Sequence, residues 1–181
     1  MGVAQTLTAI ALGLLAPSGA QAPANDDSAL RAVAASCSGA TTAGGNAHSE
    51  LQAMSCGVNV VRRSFGLSVL HESPRLDRSS LLKANAIRRC GFSHTPCGTP
   101  LTQTFLRAGY MPARSIAENL AWGERELGSP LRTLAAWLAS ARHRANLLAP
   151  GWQDFGLAVR RGSMFGFSGV SLWVLQFGRR R

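Results

Sequence analysis

The feature that most constrains this chain is a single change of hydrophobic period along its length. Leu51, Met54, Val58, Val61 and Phe65 recur at three- and four-residue spacing, which places them on one face of a helix. Phe155, Leu157 and Val159 instead alternate with Gly156, Ala158 and Arg160, the two-residue period of a strand. A chain that is helical first and stranded afterwards predicts an α+β fold with an antiparallel sheet. Its 181 residues suit one domain, and a 46% hydrophobic content is enough for a real core.

The first helix is expected from near Ser49 to Gly66, followed by an extended run Leu67 to Leu70 before Pro74. A second helix follows Asp77 or Ser79 and runs through Leu82, Ala86 and Ile87 to Arg89. Leu101, Phe105 and Leu106 mark a short third helix closed by Gly109. Ser129 and Pro130 are start signals for a fourth, with Leu131, Leu134, Trp137 and Leu138 facing the core. Val170 to Phe177 is apolar on both sides, so it predicts a central strand covered on both faces. Gly162 to Gly169 reads as a glycine-rich turn before it, and Ile116 to Trp122 as a third strand.

The two ends read differently. Leu7 to Leu15 is an apolar run ahead of small residues, without any charged side chain before Asp26. That is the pattern of a secretory signal peptide over residues 1–24, cut after Ala20 or Ala24, although the usual basic start is missing. The run is shorter than the about 20 apolar residues of a membrane span, and no other segment of the sequence is long enough. Residues 25–49, rich in Ala, Ser, Thr, Gly and Asn, predict a linker with a short helical piece around Leu30 to Ala35. The domain proper is expected over residues 50–178, and residues 179–181 form a basic tail.

Four cysteines in an exported chain imply two disulfides, with three pairings open. Cys90 and Cys97 flank a tight loop and can close it locally, which leaves Cys37 with Cys56. The competing reading of Cys90, His94 and Cys97 is a metal site, ranked below the disulfide because no fourth ligand is near in sequence. The net charge of +10 is carried almost wholly by arginine. Those arginines are scattered rather than interleaved with aromatics, which argues against specific nucleic-acid binding. An exported basic protein meets anionic envelope polymers or lipid head groups, or simply has a solvated basic surface.

Three segments set polar groups among apolar ones: Gly91-Phe-Ser-His94-Thr-Pro-Cys97, Ile116-Ala-Glu118-Asn119-Leu-Ala-Trp-Gly123 and Trp137-Leu-Ala-Ser140-Ala-Arg-His143-Arg144-Ala-Asn146-Leu-Leu148. Taken singly, each has an ordinary explanation: a surface histidine, a loop-capping Glu-Asn pair, and cations at a helix C-terminus. Spacing alone does not bring them together; if they met, the imidazoles of His94 and His143 and the carboxylate of Glu118 would suit a divalent metal such as Zn²⁺, with water in the open position. Glu118 would then be a ligand, or would orient an imidazole N–H. The same three residues are the candidates for acid–base catalysis, since histidine titrates near neutral pH. The nucleophile half of a hydrolase is not in view, because the chain has neither a G-x-S-x-G elbow nor an H-E-x-x-H helix. Ser93 is the one obvious hydroxyl beside His94.

In this order the segments resemble the conserved blocks of the CAP superfamily (cysteine-rich secretory proteins, antigen 5 and pathogenesis-related 1 proteins), and most closely its short bacterial members. The resemblance runs from about Leu51 to Gly178. It includes Asn59, Arg63 and Gly66-Leu67; Ser93-His94; Arg107-x-Gly-Tyr110; Glu118-Asn119-Leu120-Ala121; Trp137, Ser140 and His143-Arg144-x-Asn146-Leu147-Leu148; Phe155-Gly156; and Trp173 with Gln176-Phe177-Gly178. It implies an α-β-α sandwich with a cleft lined by His94, Glu118 and His143. Many members carry a second glutamate after the helix tryptophan, where this chain has Ser140, and the Glu-Asn pair follows Ala117 rather than the usual glycine. Arg107 and Tyr110 are expected to pack beneath the cleft, and Asn119 and Asn146 to satisfy backbone. The resulting expectation is a secreted, monomeric binding module whose cleft takes a metal, a lipid or sterol, an envelope component or a protein. The alternative is a metal-dependent extracellular hydrolase using the same residues.

Overall fold

A computed structural model describes residues 25–180, so the signal-peptide segment 1–24 and Arg181 of the basic tail lie outside the described residues. Six helices surround a four-stranded sheet: α1 (Asp26–Ser36), α2 (Ala47–Ser64), β1 (His71–Glu72), α3 (Pro74–Cys90), α4 (Leu101–Arg107), β2 (Ala113–Glu124), α5 (Pro130–Ala139), α6 (Ala141–Leu148), β3 (Asp154–Met164) and β4 (Phe167–Arg180). The strand order is β1-β3-β4-β2. β4 is antiparallel to both β3 and β2, whereas the two-residue β1 runs parallel to the start of β3. The sheet is therefore mixed, and the extended run begins pairing at His71 rather than Leu67.

The alternation in β4 explains the three layers. Trp173, Leu175 and Phe177 point to one face and pack with Val58 of α2, Leu134 and Trp137 of α5 and Leu147 of α6. Leu172 and Val174 point to the other and meet Ala84 and Ile87 of α3. Both faces are covered, which is why this strand lacks an apolar-polar pattern. The buried tryptophans satisfy their N–H groups: Trp137 donates to the Leu120 carbonyl at 3.2 Å and Trp173 to that of Gly128 at 2.8 Å. Helix α3 crosses close enough that a Cβ on Gly156 would stand 2.2 Å from the backbone of Leu76. Only glycine permits that approach.

Residues 25–49 are more than a linker. Asn25 caps α1 by accepting from the Ser28 N–H, and Ala29 and Val33 bury on α2 and α5. The Cys37–Cys56 disulfide fastens this segment to α2, and Cys90–Cys97 closes the loop after α3. Both bridges match the pairing expected from spacing, and they remove Cys90 and Cys97 from any metal site. The composition looked linker-like because a single small-residue stripe, rather than a run of large apolar side chains, docks the helix. Arg179 and Arg180, expected in a tail, belong to β4.

Candidate functional site

β2 is an edge strand, and its neighbouring residues Glu118 and Asn119 point to opposite faces of the sheet. Each face supplies one histidine. On the α3 side, the loop closed by Cys90–Cys97 brings His94 over the strand, where its Nδ1 is 2.9 Å from Glu118 Oε1. On the other side, Asn119 Nδ2 donates to the His143 carbonyl at 2.9 Å, and Asn146 Nδ2 donates to Asn119 Oδ1 at 3.0 Å and to the Glu118 carbonyl at 3.3 Å. These amides stitch α6 to β2. The far end of α6 is held by Arg62, fully buried, whose Nη1 donates to the Leu147 and Ala149 carbonyls at 2.8 and 3.0 Å. The two asparagines thus satisfy backbone as expected, and in doing so they set where His143 stands.

Glu118 is the centre of the site, and its carboxylate is fully engaged. Its side chain is 0% exposed. Oε1 receives His94 and also the Lys83 ammonium at 3.2 Å, while Oε2 accepts from Gln176 Nε2 at 3.0 Å. Lys83, itself 1% exposed, donates in addition to the His94 carbonyl at 2.6 Å. One lysine therefore fixes both the acid and the loop that carries the imidazole. A buried carboxylate needs such pairing, since desolvation of an unpaired charge is prohibitive. Gln176 stands directly opposite Glu118 in the β2–β4 register, so that contact follows from strand pairing.

The two histidines differ. The His94 side chain is 60% exposed, with Nδ1 held by Glu118 and Nε2 left for a ligand. His143 is half-buried, and its pKa is lowered from the usual histidine value, first by burial and then by the charge of His94. The charge of His94 is thus felt at His143 across the edge strand.

The chemistry of the donor set does not fit a three-ligand metal site. Both Glu118 oxygens are occupied, one of them by an ammonium that a divalent cation would have to face. Among the described residues no group of three or more His, Cys, Asp or Glu side chains is arranged to hold a metal ion. The geometry matches Glu118 as the group that orients His94 rather than as a ligand. Ser93 turns back on its own loop, accepting from the Thr95 N–H at 3.0 Å. Tyr110 is buried as expected, with its hydroxyl donating to Asp154 at 2.8 Å, but Arg107 is exposed. Arg62, one residue before the Arg63 of the sequence block, is the buried arginine.

Sequence reading missed Lys83 and Gln176 as site residues. Each carries a signal. Lys83 occupies the core stripe of α3, seven residues after Leu76 and four before Ile87, where a charge demands a partner. Gln176 is an amide between Leu175 and Phe177 in an otherwise apolar strand.

The sequence model of the cysteine-rich secretory protein family, CAP, matches residues 57–177. No curated protein matches the chain by sequence. Among solved structures, the chain is similar to an outer surface protein of Borrelia burgdorferi, with TM-score 0.64, 20% identity, and coverage of 77% of this chain and 99% of that one. It is also similar to an extracellular SCP-domain protein of Bacillus anthracis, with TM-score 0.62, 19% identity, and coverage of 74% of this chain and 41% of that one. A cysteine-rich secretory protein of Staphylococcus aureus gives TM-score 0.55 at 15% identity, over 75% of this chain and 40% of that one. At these identities the likeness is one of fold. Among the described residues no helix is long and apolar enough to cross a membrane.

Proposed function

Since this chain belongs to the cysteine-rich secretory protein (CAP) family, we propose that it is an extracellular binding protein rather than a hydrolase. At the edge of β2 it offers the imidazoles of His94 and His143 to a polar or anionic group of an envelope or lipid ligand. The observation that carries this reading is the saturation of Glu118 by Lys83, His94 and Gln176. A carboxylate held on both oxygens is suited to fixing an imidazole and poorly suited to activating water or binding a metal. Two disulfides and the outer-surface or extracellular character of the Borrelia and Bacillus proteins support export.

Binding then proceeds through His94 Nε2, whose ring Glu118 orients before the ligand arrives, and through His143, whose backbone Asn119 holds, so the ordering cost at His94 is small. The test is saturable binding from a panel of fatty acids, sterols and cell-wall fragments by the full chain. His94→Ala/His143→Ala should abolish it while the melting temperature holds. Turnover of an ester, peptide or peptidoglycan substrate that vanishes in Glu118→Gln would sink the proposal. So would near-stoichiometric zinc in chelator-free protein that the double variant no longer retains.

A further inference from the structure

Three separate segments bring aromatic side chains together on the surface at one end of the sheet. Phe92 comes from the disulfide-closed loop, Trp122 from β2, and Phe165 and Phe167 from the β3–β4 hairpin. Phe165 is the hub, with ring centroids 5.9 Å from Phe92 and 5.4 Å from Trp122, and Trp122 is 5.3 Å from Phe167. Phe92, Trp122 and Phe167 are 44%, 37% and 45% exposed. A contiguous exposed aromatic cluster differs from isolated apolar residues on a surface, and it marks a contact site.

The hairpin is built to display these rings. Met164 pairs with Phe167, so Phe165 and Gly166 form a two-residue turn with φ of 59° and 85°. Both central residues of such a turn require positive φ, where Asn and Gly are the usual occupants. A phenylalanine there sits in a conformation bulky side chains avoid, which points to a role for the ring itself.

Three arginines and two glutamates flank the segments that carry the cluster. Arg88 and Arg89 end α3 just before Phe92 and are exposed, and the Arg125 side chain lies against Gly169 on the hairpin's second strand. None of the three forms an ion pair among the described residues, while Glu124 and Glu126 are the acids beside Arg125. The whole chain carries +10. Exposed aromatics on segments flanked by these three arginines complement an anionic bilayer surface, whose interface accepts rings and whose head groups attract cations.

We propose that the Phe92–Trp122–Phe165–Phe167 cluster docks this protein onto anionic lipid bilayers, inserting the hairpin tip into the interfacial layer. The site is separate from the cleft and does not depend on the ligand of His94 and His143. It would nonetheless orient that cleft, because Phe92 precedes His94 by two residues and Trp122 shares a strand with Glu118.

The experiment is sedimentation of the full chain with vesicles of equal parts phosphatidylglycerol and phosphatidylcholine, against vesicles of phosphatidylcholine alone. Binding is expected to the anionic vesicles, weakened by salt, with Trp122 fluorescence quenched by brominated acyl chains. Phe92→Ser/Phe167→Ser should lower partitioning about 30-fold, because two half-exposed rings lose their insertion, with an unchanged melting temperature. His94→Ala/His143→Ala should bind the vesicles normally, which separates this proposal from the cleft reading. Equal partitioning of wild type and the aromatic variant, or no binding to anionic vesicles, overturns it. Concentration-dependent dimers in analytical ultracentrifugation that the aromatic variant abolishes would assign the face to a second copy instead and equally overturn it.

Discussion

Replacing Lys83 by Met tests whether the site is held by one buried charge pair. The ammonium stands 3.2 Å from Glu118 Oε1, with both side chains essentially sealed from water. At an effective dielectric of about 20 that separation gives a gross attraction of about 5 kcal/mol, which desolvation of the two ions largely offsets. The pair itself therefore adds little net stability. Removing one partner is a different matter, because Glu118 keeps its desolvation cost and loses its cation, and such losses run about 3–5 kcal/mol. His94 and Gln176 still donate to the carboxylate, so the low end, about 3 kcal/mol, is expected. For a chain of this size that is a fall in melting temperature of about 6–12 °C. Glu118→Gln alone should cost a similar amount by stranding Lys83. The double variant Lys83→Met/Glu118→Gln should recover most of the loss, because no buried charge is left uncompensated. Urea unfolding followed by tryptophan fluorescence reads this well, since Trp137 and Trp173 are fully buried. If the two single losses simply add in the double variant, to within about 0.5 kcal/mol, the residues are uncoupled and the reasoning fails.

Three other outcomes follow from the same geometry. Burial raises the Asp77 pKa from 3.8 to about 6, so the folded state holds that proton more tightly than the unfolded chain. Its contribution to stability is full below about 3.8 and is lost as pH rises to about 6; Asp77→Asn, which keeps the acceptor for the Leu157 N–H, should flatten unfolding free energy across that window. In His94→Ala, the His143 titration followed by proton NMR should move upward yet stay below the usual histidine value, because burial remains after the neighbouring charge is gone; an unmoved midpoint would show that the imidazoles do not sense each other. Reducing the Cys90–Cys97 loop by Cys90→Ser/Cys97→Ser should cost about 2.5 kcal/mol of chain-entropy stabilisation and raise amide exchange over residues 91–96, while leaving α6 protected.

What was legible in the sequence depended on how each residue announces itself. The stripe of α2, the Ser129–Pro130 start of α5 and the alternation in β3 are local patterns, so their elements could be read directly. His94, Glu118 and His143 stood out because polar side chains interrupted apolar runs, and ordered similarity to a family joined them. Helix α6 was not read as a separate element because Ser140 takes extended backbone between two short helices, a break without Gly or Pro to mark it. Lys83 and Gln176 also interrupt apolar patterns, but those interruptions say only that each needs a partner, and the third dimension shows that the two meet on one carboxylate. That difference bears on function. An exposed histidine such as His94 can be exchanged without unfolding the protein, whereas Lys83 lies in the core stripe of α3 and Gln176 in the central strand. The fold and the site therefore share their most buried polar residues. Selection for stability and selection for an oriented His94 act on the same two side chains, and only a variant that spares them, such as His94→Ala, can separate binding from folding.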